Sequence, residues 1–287
     1  MLTEQQLLNK WNNNEHPVVS ICTVTYNHQG YIAEAIESFL EQETNFPFEI
    51  LIHDDASNDN TQKIIKEYEK NYPTIIKPIY QTINQKSIFK SGMNPRFNYP
   101  RAKGKYIATC DGDDYWTDPY KLQKQVDFLE ENPEYVMSFH SVAVINSIPN
   151  INYQYPIPKK TTLELKDLAL KHYIPTCSLI FKKNKMPNPI PNWFANLPMG
   201  DIPLELMIAS KGLTKYFPES MGVYRKHEGG ITNNKVQILK GRKAYIKLYG
   251  ELRNNLSKRY WILFTFLILK NKIGFIRDWL GLNSLLR

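Results

Sequence analysis

The sequence predicts an α/β fold in which a mostly parallel, twisted sheet is flanked by helices and followed by a helical C-terminal extension. Three observations support this prediction. The first half of the chain alternates short apolar runs with segments of helical periodicity. Acidic residues directly follow two of the apolar runs, where strands of an open sheet commonly meet a ligand. The chain has 287 residues, 42% of them hydrophobic, enough for one large α/β domain with an appendage.

The first half of the chain contains the clearest strand signals. Four apolar runs are predicted strands: residues 18–24, 48–53, 75–80 and 106–110. Pro78 weakens the third of them, because proline cannot donate a ladder hydrogen bond. The segments between the runs have apolar residues on one helical face, as with Ile32, Ile36 and Phe39. This β-α-β-α order predicts parallel strands with right-handed crossovers.

The remaining elements are predicted in the same way but follow a less regular order. A helix is expected to start at residues 117–119, where an Asp-Pro pair supplies first-turn chemistry. The later expectations are a strand at 135–145, a helix at 163–170, a strand at 177–181, a proline-rich loop at 187–198, a helix at 201–209, a strand from 224 that ends in a loop at 229–230, and helices over 233–287.

These elements divide the chain into three parts: an N-terminal extension at residues 1–16, a main α/β domain at 17–230 and a C-terminal helical extension at 231–287. The net charge is +8, and the last fifty or so residues are rich in Lys and Arg. A basic tail suggests an anionic partner surface. No nucleic-acid-binding motif accompanies it, so no nucleic-acid partner is expected. The apolar and basic C-terminal segment is expected either to lie on a membrane surface or to pack on the domain or a second copy.

The compartment is predicted from the cysteines and the N-terminus. Cys22, Cys110 and Cys177 are too far apart in sequence for a zinc-type pair and are expected to be buried, reduced thiols. The polar N-terminus has no signal-peptide pattern, and no apolar run reaches about 18 residues. A cytoplasmic protein is therefore expected, with a peripheral position on the cytoplasmic face of the inner membrane if the C-terminal segment binds lipid.

Carboxylates mark the expected functional site. Asp54 and Asp55 end the second predicted strand, Asp111, Asp113 and Asp114 follow the fourth, and Asp201 opens a helix. In a parallel sheet the strand ends share one edge, which predicts a cleft that holds a hard divalent cation and a hydroxyl-rich ligand. Simpler roles compete with this one, since Asp54 can end a strand, while Asp59 and Asp201 can cap helices. The chain has neither a P-loop nor a Gly-x-Gly-x-x-Gly turn.

Three blocks in order now carry a resemblance. They are Val-Ser-Ile-Cys-Thr-Val-Thr-Tyr-Asn at 19–27, Asp-Asp-Ala-Ser-Asn-Asp-Asn-Thr at 54–61, and Gly-Lys-Tyr-Ile-Ala-Thr-Cys-Asp-Gly-Asp-Asp-Tyr-Trp at 104–116. The chain resembles the family 2 glycosyltransferases of the GT-A fold, of the type that builds bacterial surface polysaccharides, from about residue 17 to residue 230. The resemblance implies an enzyme that uses a nucleotide-sugar donor, Mn²⁺ or Mg²⁺, and a saccharide or lipid-linked acceptor.

The resemblance also implies residue roles. Asp201 matches the catalytic base. The residues matching donor contacts are Thr25, Tyr26, Asp55, Asp111 and Asp113. The residues matching metal ligands are Asp114, Asp113 and His227, of which Asp114 is the expected direct ligand. One departure is the segment at 91–99, which lacks the Gly- and Asn-rich helix start of many relatives and leaves its donor contacts unassigned.

An inverting transfer needs few groups: a base that takes the proton of the acceptor hydroxyl and a metal that neutralises the departing diphosphate.

Two other functions stay open, a nucleotidyltransferase acting on sugar phosphates and a binding protein without catalysis. His227 has a surface role as its alternative, while Trp193 and Phe194 belong either to the core or to an acceptor subsite. His28 and His53 are interpreted as structural, and Arg96 and Arg101 as loop surface charge.

Overall fold

A computed structural model describes residues 1–11, 16–89, 92–147, 150–227 and 235–279 of the chain. Its described strands are β1 (Val19–Thr25), β2 (Phe48–Asp54), β3 (Ile76–Tyr80), β4 (Tyr106–Thr109), β5 (Tyr115–Trp116), β6 (Tyr135–Ser147), β7 (Asn150–Gln154), β8 (Thr162–Leu163), β9 (Ile180–Lys182) and β10 (Leu213–Lys226). Its described α-helices are α1 (Glu4–Lys10), α2 (Ile32–Leu40), α3 (Thr61–Asn71), α4 (Gln85–Phe89), α5 (Lys121–Glu131), α6 (Leu165–Leu170), α7 (Asp201–Ala209), α8 (Lys235–Asn255) and α9 (Trp261–Trp279).

One sheet runs through the molecule in the order β3-β2-β1-β4-β9-β6-β10-β5. Its first four strands are parallel, as predicted from the β-α-β-α pattern. The second half is mixed, because β9 is antiparallel to both β4 and β6, whereas β10 runs parallel to β6. The strand expected at 177–181 is shorter than predicted, since residues Thr176–Ser178 form a 3₁₀ turn before it. The helix expected from 117–119 begins at Lys121.

Both faces of the sheet are buried, which explains why its strands are almost continuously apolar. Successive side chains of β1 and β2 enter opposite cores: Ile21 and Ile50 pack with α2, whereas Cys22 and Leu51 face the side of α6 and α7. The three cysteines are buried free thiols, as predicted.

Each predicted extension packs on the domain. Leu7 of α1 and Trp11, which directly follows that helix, are buried, and the Trp11 ring meets Phe48 of β2 edge-on at 4.9 Å. At the other end, α8 and α9 cover the second core with Leu248, Leu252 and Phe264. The expected boundary between residues 230 and 231 lies outside the described residues. No helix in the described ranges is long and apolar enough to cross a bilayer.

The segment that departs from the family pattern forms hydrogen bonds to three strands of the sheet, β1, β2 and β3. It forms a π-helical turn, Asn94–Asn98, followed by a 3₁₀ turn, Tyr99–Arg101. The buried Asn98 amide donates to the Thr23 carbonyl oxygen at 3.0 Å, and the Arg101 guanidinium donates to the Ile52 and Lys77 carbonyls. Arg101 therefore ties strands together, and its interpretation as loop surface charge is wrong.

Candidate active site

The predicted site segments meet at one edge of the sheet. Thr25 at the end of β1 pairs with Asp54 at the end of β2. The Asp55 N–H donates to the Thr25 carbonyl at 2.9 Å, and the Gly112 N–H donates to the Val24 carbonyl at 2.9 Å. The acidic segment after β4 thus lies against the end of β1, as the positions of strand ends in a parallel sheet predict.

Gly112 makes this close approach possible. A Cβ added there would lie 2.9 Å from both the Cβ and the Oγ1 of Thr25, closer than real Cβ atoms come to a neighbour. The glycine therefore lets Asp111 and Asp113 flank the end of β1, and a larger residue at position 112 would push the carboxylates away from it.

Asp113 is the centre of a compact group of possible metal ligands. Its Oδ2 lies 3.1 Å from His227 Nε2 and 3.8 Å from His28 Nε2. One ligand atom from each of these residues lies within 4.8 Å of the others. The three side chains are only partly exposed, and His28 Nδ1 is buried without a hydrogen-bond partner among the described residues. One carboxylate and two imidazoles form a donor set suited to a transition metal such as Mn²⁺.

The carboxylates of this segment strongly affect one another's pKa. Burial, followed by repulsion from Asp113 and Asp201, raises the pKa of Asp111 to about 7. Burial and the charge of Asp113 likewise raise the pKa of Asp114 well above its usual value. Burial would raise the pKa of Asp113 too, but the His227 hydrogen bond and the His28 charge outweigh it, and the pKa is lowered. The segment has more carboxyl groups than ionise together easily, and a bound cation would favour their ionised forms.

Asp114 is held differently from Asp113. It is buried, and its Oδ1 accepts a 2.8 Å hydrogen bond from the Arg225 N–H of β10. The Arg225 guanidinium donates to the Asp113 carbonyl at 2.9 Å, pairs with Glu34, and lies 4.3 Å from the centre of the Tyr115 ring. Asp114 is not part of the three-residue ligand group that the described residues form.

Three of the expected donor contacts, Thr25, Tyr26 and Asp55, lie where β1 and β2 end. Thr25 is buried and Tyr26 is exposed. Asp55 is buried, and its two carboxylate oxygens accept the N–H groups of Gln85 and Lys86 at 2.6 and 3.0 Å, so it caps α4. Asp54 accepts hydrogen bonds from Ser57 and Gln62, the structural role that competed with a ligand role for it.

Backbone strain occurs in the loops after β1 and β2. Asn27 and Ala56 have φ values of 54° and 64°, in the left-handed region. Asn tolerates this conformation, but it costs Ala energy, and such costs concentrate at functional sites. The Asn27 side chain accepts the N–H of Asn58 at 2.9 Å, which links the two loops.

Asp201 opens α7, as predicted, and remains exposed. Its Oδ1 accepts the N–H of the next residue at 2.8 Å. His172 and Glu205 stand beside it, with one ligand atom from each of the three within 4.8 Å of the others. Glu205 is buried and lies 2.9 Å from His172 Nε2. The charge of Asp201 is one cause of the raised pKa of Asp111 in the acidic segment.

Sequence reasoning missed several members of the site. His28 was interpreted as structural, yet it stands beside Asp113; its position just after the end of β1, next to Thr25 and Tyr26, was the available signal. Nothing in the sequence signalled Arg225, His172 or Glu205. His53 stacks on Phe97 at 4.4 Å inside the protein, in line with a structural role, and Phe194 is a buried core residue.

Comparison with known sequences identifies a family. The sequence profile of "Glycosyl transferase family 2" matches residues 20–185. An uncharacterised protein of Mycobacterium tuberculosis is 38% identical over 216 residues, which are 74% of this chain and 60% of that protein, so the match spans less than two thirds of its length. TuaG of Bacillus subtilis, named as a putative teichuronic acid biosynthesis glycosyltransferase, is 29% identical over 79% of this chain and 86% of its own. WfaP of Escherichia coli, named as a UDP-Glc:α-D-GlcNAc-diphosphoundecaprenol β-1,3-glucosyltransferase, is 29% identical over 81% and 87%.

Solved structures share the fold. TarS of S. aureus (residues 1–349, with UDP) superposes with a TM-score of 0.62 at 16% identity, covering 90% of this chain and 72% of that one. The mannosyltransferase PcManGT of Pyrobaculum calidifontis, with GDP-Man and Mn²⁺, superposes with a TM-score of 0.59 at 14% identity, covering 94% and 75%. At these identities the likeness shows a common GT-A-like architecture.

Proposed function

The chain belongs to glycosyl transferase family 2, and from this premise we propose that it is an inverting, metal-dependent glycosyltransferase. It transfers a sugar from a UDP-linked donor to a saccharide or lipid-linked acceptor during synthesis of a bacterial surface polysaccharide. The names of TuaG and WfaP, a teichuronic acid enzyme and a UDP-Glc-dependent enzyme acting on a diphosphoundecaprenol-linked sugar, support the donor and the acceptor class.

One observation carries the proposal: Asp113 and two imidazoles form a compact donor group at the edge of the sheet, beside the carboxyls of Asp111 and Asp114. The charge of Asp201, at the start of α7, contributes to the raised pKa of Asp111, which supports a candidate base near the acidic segment. A donor diphosphate needs a cation there, and an acceptor hydroxyl needs a carboxylate.

The residues present fit a divalent metal. Asp113, His227 and His28 would hold Mn²⁺ or Mg²⁺, with Mn²⁺ favoured by the two imidazoles. Asp114, the direct ligand expected from the resemblance, orients this group in our proposal through its hydrogen bond to the Arg225 backbone. When bound, the metal supplies positive charge that stabilises the departing diphosphate.

The chain's own groups do the rest of the chemistry. Asp201 accepts the proton of the acceptor hydroxyl as that oxygen forms its bond to the anomeric carbon. Because attack and departure take place on opposite faces, the anomeric configuration inverts. Thr25, Tyr26, Asp55 and Asp111 line the donor side. Each carboxylate oxygen of Asp55 accepts one N–H group of α4, from Gln85 or Lys86, and keeps a second lone pair for a hydrogen bond from the uracil of the donor.

The test is a screen of nucleotide sugars that measures UDP release, with and without Mn²⁺. We expect metal-dependent release from one UDP-sugar, faster with a suitable acceptor, and its loss in both Asp113→Ala and Asp114→Ala. Asp127→Asn, which changes an exposed carboxylate on α5, is the matched control and should leave release unchanged.

The same screen separates the alternatives. Release of pyrophosphate from a nucleoside triphosphate and a sugar phosphate would indicate a nucleotidyltransferase. Tight binding of a nucleotide sugar without release, in the presence of acceptor extracts and metal, would indicate a binding protein. Full UDP release in excess chelator would contradict the metal-dependent mechanism.

A further inference from the structure

Helix α9 is apolar on two opposite faces, and the domain covers only one of them. Phe264, Leu267 and Ile268 are buried against the core. Five large apolar side chains point the other way, with these exposed fractions: Ile262 78%, Phe266 54%, Leu269 53%, Ile273 67% and Ile276 55%. An apolar face of a helix is normally buried. The exposed fractions show that these five side chains have no covering partner among the described residues.

The exposed stripe, defined by those five residues, is continuous. Their spacing of four, three, four and three residues keeps them on one side of a helix with 3.6 residues per turn. From Ile262 to Ile276 the stripe extends about 20 Å along the axis. Single exposed apolar residues are ordinary on a protein surface, but a contiguous row of them marks an interaction site.

Basic residues border the exposed stripe on both sides. At about 100° per residue, Lys270 and Arg277 fall along one edge and Lys272 along the other. All three are exposed, and residues 261–277 contain no Asp or Glu. Asp278, the next residue, is paired with Arg242 of α8. The uncovered face of α9 is therefore an apolar strip between cationic margins.

We propose that the exposed stripe seats α9 in the surface of an anionic lipid membrane, with the helix axis parallel to the bilayer. The five apolar side chains would enter the boundary of the acyl region, while the lysines and the arginine reach the phosphates of the headgroups. Trp261, half exposed at the start of the helix, suits the same interface.

The charge pattern disfavours a second copy of the chain as the occupant. The four–three spacing could form a coiled-coil seam, in which the residues beside the seam face their counterparts on the other helix. Here those neighbours include Lys270, Lys272 and Arg277, so two copies would place like charges against each other, whereas an anionic membrane complements them.

The position of α9 connects this surface to the candidate base. The residues lining a cavity of about 240 Å³ include His172 and Ile202 as well as Lys270 and Asn271 of α9. Ile202 follows Asp201 directly. A membrane-seated α9 would thus hold the acceptor side of the cleft near the bilayer, where a lipid-linked acceptor resides; this orientation rests on the proposed function, whereas membrane binding itself does not.

The experiment is flotation of the full chain, without donor or acceptor, with phosphatidylcholine vesicles that contain or lack phosphatidylglycerol. We expect the wild type to float only with the anionic vesicles and to be released by added salt. The double variant Ile262→Ser/Ile273→Ser should lose vesicle affinity about tenfold or more, since it removes two of the five apolar contacts. Lys270→Glu/Lys272→Glu should lose affinity for anionic vesicles as well.

The matched control is Ile83→Ser/Ile157→Ser, which alters two isoleucines elsewhere that are 62% and 51% exposed and should float like the wild type. Melting curves would verify that all three double variants fold. A wild type that stays in solution with anionic vesicles at low salt, or a stripe variant that floats like it, would overturn the proposal. A dimeric wild type in light scattering, made monomeric by the stripe substitutions with flotation unchanged, would assign the stripe to self-association instead. Since no sugar transfer is measured, failure here leaves the proposed function untouched.

Discussion

At the scale of single residues, the acidic segment is unfavourable for folding in the absence of a cation. Asp111 has a pKa raised to about 7 by burial and by two neighbouring carboxylates, so its ionised form costs folding energy near neutral pH. Functional sites commonly keep such a cost because the group is needed for binding.

Asp111→Asn should therefore stabilise the metal-free protein. The amide has the same shape and no charge, and at pH 8 we expect a gain on the order of 2 kcal/mol in the free energy of unfolding. Thermal melts in chelator check this, and Mn²⁺ should then stabilise the wild type more than the variant. A variant that melts below the wild type in chelator would mean that Asp111 makes a favourable interaction instead.

Asp201→Asn should separate binding from chemistry. Asn still accepts a hydrogen bond at the start of α7, but it cannot take a proton. We expect UDP affinity within about twofold of the wild type and turnover reduced by at least about 100-fold. Calorimetry and a UDP-release assay measure the two quantities. Turnover close to that of the wild type would leave Asp201 with a capping role alone.

The sequence could predict individual site residues only where they belong to an ordered motif. Asp111, Asp113 and Asp114 follow an apolar strand, and a strand end fixes the edge of the sheet at which they lie. The sequence could not show which of the three carboxylates faces the histidines. That choice depends on the hydrogen bond from the Arg225 N–H to Asp114, two residues that are 111 positions apart in the sequence. His172 and Glu205 were out of reach for the same reason, since their contact joins residues 33 apart.

At the scale of elements, α7 is linked to the segment after α6 by an acid–base pair between Glu205 and His172. Glu205 lies on its inner face, where burial raises the pKa of the carboxyl. Burial would lower the pKa of His172, but the charge and hydrogen bond of Glu205 outweigh it, and the pKa is raised. The pair therefore stabilises the fold most when His172 is protonated.

The sign of this effect predicts a pH dependence. A raised folded-state pKa means that the stabilisation is complete below the ordinary pKa of histidine, about 6.5, and is lost as pH rises through the raised value. We expect the wild-type melting temperature to fall between pH 6 and pH 9 more steeply than that of His172→Asn. Parallel curves for the two proteins would exclude a contribution from this pair.

Strands and helices were predictable where one repeating pattern governed a segment. The parallel strands β1, β2 and β4 and the helix α7 follow their apolar runs closely. The antiparallel placement of β9 was not predictable, because its three residues are inserted between β4 and β6 by contacts distant in sequence.

At the scale of the whole molecule, the C-terminal helices are part of the fold. The sequence left open whether these helices lie on a membrane surface, pack on the domain or contact a second copy. It could not show that α9 packs on the domain with one face and has an exposed apolar stripe on the other. Truncation before α9 would remove buried contacts of Phe264 and Leu267, so point substitutions are the cleaner test.

Two phenylalanines on α9 offer a matched pair. Phe264 is fully buried and Phe266 is 54% exposed. Phe264→Ala should cost about 3–4 kcal/mol of unfolding free energy, because it leaves a cavity between α9 and α8. Phe266→Ala should cost about 0.5 kcal/mol or less, and by our proposal it weakens vesicle binding. Denaturant unfolding measures both, and equal costs would mean that α9 is packed differently.

The central claim is that the cleft around Asp113, His227 and Asp201 binds a nucleotide sugar through a divalent metal. The most direct measurement is calorimetric titration of the full chain with UDP, in Mn²⁺ and in chelator. We predict saturable binding in Mn²⁺ that weakens at least about tenfold in chelator, loss of the metal effect in Asp113→Ala, and no change in Asp127→Asn. UDP affinity that is equal in Mn²⁺ and chelator, or a full metal effect in Asp113→Ala, would contradict the account.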